Sequence, residues 1–181
     1  MVSVTELSTN WVIDENFSVP SVIDAVDASQ KVPLGTIVRA KHATFGEGEF
    51  IYLGGCVATA VGSLVSYLAT AGTTALSTAS VGSIPRPFAV AMSANILTTT
   101  FGWYQIAGSA TILKTAVKVD PAAATHPTNV YLSGTSGRIM QTSVAVRCLL
   151  GASFESLTTV TSTTSTAVVT INRPHGQGPI I

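Results

Sequence analysis

From Leu34 onward the sequence is a succession of short runs rich in β-branched and aromatic residues, separated by Gly, Pro, Asn and Ser. GTIVRA (35–40), EFIYLGG (49–55), SLVSYL (63–68), PFAVAM (87–92), GWYQIAG (102–108) and ATILKT (110–115) have the length and content of strands. So do NVYLS (129–133), RIMQT (138–142), VAVRCLL (144–150) and TAVVTIN (166–172). Runs this short, so regularly interrupted, predict an all-β chain folded as a single compact β-barrel or sandwich. Two segments, 88–97 and 116–124, are the helical exceptions, the second broken by Pro121. The Ser/Thr-rich stretches 69–83 and 156–166 read as loops or Thr-rich edge strands. No repeat at solenoid or propeller spacing is present.

Residues 1–33 differ from the rest of the chain. Trp11, Val12, Ile13, Phe17, Val19 and Val22 are too apolar for a solvated tail, yet no helical or alternating period links them. Pro20 and Pro33 limit helix formation, leaving room for one short helical turn over 21–28. The segment reads as an extended N-terminal arm, followed by a β domain over 34–172 and a tail over 173–181. In RPHGQGPII the proline and glycines are expected to end the last strand near Asn172. Charge follows the same division. Residues 1–30 carry Glu6, Asp14, Glu15, Asp24 and Asp27 and no Lys or Arg, whereas the remainder carries nine bases against four acids. Two readings stand: an acidic arm and a basic body that attract one another, within or between subunits, with Arg39, Lys41, Arg86 and Arg138 the candidate partners, or an acidic terminus that is simply solvated.

Only 10% of residues are charged, against roughly 25% in an average soluble protein. A neutral surface of small residues is poorly defended against association, which favours a component of an assembly. The bases stand singly, without the Lys/Arg runs that track a phosphate backbone, so no nucleic-acid partner is expected. No apolar stretch is long enough to cross a bilayer, and no basic-then-apolar leader opens the chain, so neither membrane insertion nor secretion is expected. Cys56 and Cys148 lie in apolar runs without CxxC or histidine spacing, which predicts buried thiols rather than a disulfide or a metal site.

The residues that carry chemistry are sparse. His42, His126 and His175 fall in turns or ends, as solvated histidines do. SGTSGR (133–138) lacks the GxSxG spacing of a hydrolase elbow and reads as a hairpin turn, and HGQG (175–178) has no elbow to serve. Glu47 and Glu49, placed on one strand face, would form a cation site or an acid/base pair. Gly46 and Gly48 instead suggest a tight turn with solvent-facing carboxylates. No enzyme and no cofactor are expected.

LGTIVRA, FGEGEFIYLGGCVATAVGSLVSY, PFAVAMSANI, FGWYQIAG and VYLSGTSGRI, in that order, resemble the small capsid decoration (cement) proteins of tailed bacteriophages. The resemblance spans about Leu34 to Asn172, with EFIYLGGCV and GWYQIAG its most distinctive parts. It implies a β-tulip-like domain, made in the host cytoplasm, that sits as homotrimers on the outer surface of the virion head and clamps neighbouring major capsid proteins. Under that reading Trp11 and Phe17 anchor the arm. Trp103 and Tyr104 point to opposite faces of a strand, so that both serve the core or one meets a partner. The alternatives are another phage β-protein, such as a tail-tube, fibre or adhesin module, and a glycan hydrolase.

Overall fold

The computed structural model describes residues 11–13, 21–78, 86–115, 128–155 and 165–178. Within them the chain is all-β, with no helix: β1 (Trp11–Ile13), β2 (Ile37–His42), β3 (Gly46–Gly54), β4 (Leu64–Leu68), β5 (Thr73–Leu76), β6 (Phe88–Ala91), β7 (Phe101–Leu113), β8 (Thr128–Leu132), β9 (Ile139–Met140), β10 (Cys148–Phe154) and β11 (Thr166–Gly176). Every pairing between these strands is antiparallel, along the path β1-β2-β3-β7-β11-β10-β8-β9, with β6 joining β7 and β4 joining both β5 and β6. The path has two ends, so the sheet is not closed into a barrel.

The strand β7 organises this arrangement. GWYQIAG and ATILKT form one continuous strand, with β3 paired along residues 101–107 and β11 along residues 107–113 of the opposite edge. Its N-terminal half is covered on both faces. Trp103 packs with Trp11, Ile13, Ile23, Val38, Ala40, Phe50 and Tyr52, while Tyr104 and Ile106 pack with Ile51, Leu53, Cys56, Val65, Ala89 and Ala91. The C-terminal half contributes Ala110 and Ile112 to a third cluster, with Val169 and Ile171 of β11, Val130 and Leu132 of β8, and Leu149 and Phe154 of β10. A register shift between Glu49 and Phe50 marks a bulge where the two halves meet. The buried Gln105 spans it, its amide donating to the carbonyls of Ala107 (3.1 Å) and Ser109 (2.9 Å).

Several expectations are corrected. Residues 88–97 are not helical: β6 occupies 88–91, and all four of its residues are buried, because it is flanked by β4 and β7 with core on both faces. The other expected helix, over 116–124, lies outside the described residues. The 21–28 segment makes a hydrogen-bonded turn, Ala25 N–H to Val22 C=O at 3.3 Å, and no helix. The last strand does not end at Asn172 but continues through Arg173 and Pro174 to Gly176. Proline is tolerated there because it lies in an irregularity of the ladder, where three residues of β11 stand opposite Gly151 alone. SGTSGR does connect a hairpin, with Leu132 paired to Ile139.

Candidate assembly interface

Of the arm's apolar residues, Trp11 and Ile13 pack on the chain's own sheet, while Val12 between them is exposed. β1 adds to the edge of β2, pairing Trp11 with His42 and Ile13 with Ala40. Trp11 is 5% exposed, its ring edge-on to Phe50 at 4.8 Å. Gly48 makes room for this packing: a Cβ there would stand 3.1 Å from both the Trp11 and the Phe50 rings. Gly48 is thus a strand residue beneath an indole and not part of a turn; the left-handed turn position is Gly46, with φ +71°. His42 is likewise structural. Its Nδ1 accepts from the backbone N–H groups of Thr44 (2.9 Å) and Phe45 (3.2 Å), closing the β2–β3 turn.

Segment 21–34 is fastened more firmly still. Asp27 Oδ2 accepts from the Ser21 hydroxyl at 2.5 Å and the Tyr52 phenol at 2.7 Å, and Ser21 in turn accepts from Trp103 Nε1 at 3.0 Å. Backbone bonds between Asp27 and Phe101 in both directions complete the latch. Burial, reinforced by the Asp27 carboxylate, raises the Tyr52 pKa well above the usual phenol range, so the donor stays protonated.

Trp103 and Tyr104 point to opposite faces, as adjacent strand residues must, and both are buried, so neither ring is displayed on the isolated chain. Arg39 and Lys41 meet carboxylates across the β2–β3 ladder: Arg39 Nη2 lies 3.0 Å from Glu49 and Lys41 Nζ 3.2 Å from Glu47. Glu47 and Glu49 do share one face, in a strand rather than a turn. Arg138 donates to the Lys114 carbonyl at 2.9 Å, and Arg86 is half-buried beside Pro87. Phe17 lies outside the described residues. Both cysteines are free thiols, Cys56 buried and Cys148 half-buried. Among the described residues no group of three or more His, Cys, Asp or Glu is placed to hold a metal, and no helix is long and apolar enough to cross a membrane.

The displayed apolar surface is elsewhere. Val57 (72% exposed), Val61 (62%), Ile96 (51%) and Leu97 (54%) stand on the β3–β4 and β6–β7 loops. These loops are held together by Cys56 N–H to Asn95 C=O (3.1 Å) and Gly55 N–H to Thr100 C=O (2.9 Å). Asn95, fully buried, donates to the Thr100 hydroxyl and accepts from the N–H groups of Gly55 and Gly102, both at 3.2 Å. The Thr59 hydroxyl closes the first loop on the Cys56 carbonyl at 2.7 Å. Neither loop carries a charged residue. Sequence reasoning misses these residues because single exposed aliphatics between strands carry no periodic signal; the uncharged run CVATAVGS is the available clue. No family model, curated protein or solved structure matches the chain.

Proposed function

We propose that this chain is a structural virion protein that binds the outer surface of a phage head as trimers and clamps neighbouring major capsid proteins, with no catalytic role. The observation that carries the reading is the uncharged pair of loops presenting Val57, Val61, Ile96 and Leu97 on a hydrogen-bonded base. Exposed aliphatics on an ordered base lose little conformational freedom on docking, which favours association. The low charge of the whole chain and the decoration-protein resemblance of 34–172 point the same way. Under this reading the sheet is one face of a β-tulip-like domain, completed in the trimer. The clamp acts by mass action: a protein that binds the assembled shell and not free capsid subunits stabilises the shell, and many copies multiply a modest contact.

Co-sedimentation with expanded shells of the major capsid protein from the same source tests this. Saturation at a fixed ratio near one copy per capsid subunit is the expected result. Absence of binding to intact shells would overturn it.

A further inference from the structure

On the face of β3 that buries Ile51 and Leu53, the strand turns polar at Glu49, and beside it opens a cavity of about 300 Å³. Its lining includes Ala107 and Gly108 of β7 together with Arg39, Glu47, Glu49, Asn172 and Arg173. Gly108, at φ +99°, lies so close to β3 that a Cβ would stand 2.4 Å from the Glu47 carbonyl oxygen. The two guanidiniums reach Glu49 from opposite sides: Arg39 Nε and Nη2 meet Oε1 at 3.1 and 3.0 Å, and Arg173 Nη2 meets Oε2 at 2.9 Å. Arg39, Arg173 and Lys41, which pairs with Glu47, are three cations against the two carboxylates Glu47 and Glu49, one positive charge in excess. Among the described residues, most of the N–H groups on both guanidinium forks remain for another acceptor.

The route by which Arg173 arrives there is the second observation. Along β11 buried and outward residues alternate as far as Ile171, after which Asn172 and Arg173 are both exposed before Pro174 is buried. Regular alternation would turn Arg173 into the core. The irregularity opposite Gly151 turns it outward instead, and Gly151 is obligatory there, since its Cβ would stand 2.6 Å from the Asn172 carbonyl oxygen. The cost falls on Arg173 itself, which has φ +46° although it bears a side chain and precedes a proline, two conditions that disfavour this backbone. An exposed ion pair with Glu49 contributes too little to account for that geometry. Strain of this kind persists where a site requires a side chain in one place.

We propose that the notch between Arg39 and Arg173 is a binding site for a single carboxylate group. A carboxylate accepts from both guanidinium forks while Glu49 holds one on each of its oxygens. A phosphate dianion would bring more negative charge than the cluster carries in excess, against Glu47 and Glu49. The carboxylate comes either from a small molecule or from an acidic side chain of another copy of this chain. The inference does not rest on the shell-binding reading.

The test is a titration of the full chain, arginine-labelled with nitrogen-15, following the Nε–H resonances of Arg39 and Arg173. Sodium acetate is added at constant ionic strength against sodium chloride, with inorganic phosphate as a parallel probe. Both resonances should move along a saturating curve on the order of millimolar affinity, and phosphate should leave them unmoved. Arg173→Gly, which removes the guanidinium and accepts the left-handed backbone, should abolish the Arg39 response with Tm unchanged or raised; Arg39→Gln should abolish that of Arg173. Linear, unsaturated shifts would overturn the proposal. So would a fall in Tm of more than about 5 °C in Arg173→Gly, which would make Arg173 a brace for the fold. Sedimentation of the native chain with and without acetate separates the sources: dissociation of oligomers by acetate identifies an acidic side chain of another copy, and unchanged sedimentation a small carboxylate.

Discussion

At the scale of single residues, buried polar side chains do as much to define this molecule as its aromatics. Asp27 joins the phenol of Tyr52 and the hydroxyl of Ser21, which holds Trp103. Truncation by Asp27→Ala leaves two donors without their acceptor, and urea denaturation should show a loss of about 2–3 kcal/mol. Asn95→Ala empties a fully buried site and removes the amide that joins Thr100, Gly55 and Gly102 beneath the exposed loops; because the Gly55 N–H keeps the Thr100 carbonyl, the loss should be smaller, about 1–2 kcal/mol. Tyrosine also sets the alkaline limit. Burial pushes the Tyr104 pKa up from 10.0 to about 12, and Tyr52 and Tyr67 move in the same direction. A phenol whose pKa is raised on folding favours the folded state fully below its unfolded pKa and loses that contribution as pH climbs through the folded value. Stability measured between pH 9 and 12 should therefore fall from about pH 10 upward, Tyr104 alone accounting for about 2 kcal/mol by pH 12.

At the scale of elements, close backbone approaches fix where strands cross. Gly108→Ala introduces a Cβ 2.4 Å from the Glu47 carbonyl at φ +99°, where neither backbone can yield, and should destabilise by more than about 3 kcal/mol or prevent folding, as thermal melting would show. The strands themselves are legible because branched and aromatic runs end at turn residues; EFIYLGG and SLVSYL lie almost where β3 and β4 do. Three things are not legible. PFAVAM followed by SANIL has the spacing of a short helix, and only flanking strands decide otherwise. VAVRCLL carries its apolar content ahead of β10, because Val146 at φ +57° breaks the backbone before the strand begins. Arg173 falls in the expected tail because Arg-Pro ordinarily ends a strand, and nothing local announces that Gly151, far away in sequence, accommodates the irregularity.

For the whole molecule, the unclosed sheet and the uncharged loops suit a chain that completes its surface on something else. The double variant Val57→Asp and Leu97→Asp places charge on side chains already in solvent. It should leave Tm within about 2 °C of the parent and, under the proposed shell-binding reading, weaken attachment at least tenfold in the sedimentation titration. A large fall in Tm would instead assign these residues to the fold. The thirteen-residue strand β7 has a mechanical consequence of its own. It is a lap joint: β3 is fastened along one half of one edge and β11 along the other half of the opposite edge. Tension between β3 and β11 along the strand axis loads the hydrogen bonds of each overlap together, in shear, instead of peeling them one at a time. A molecule jointed in this way yields late and all at once.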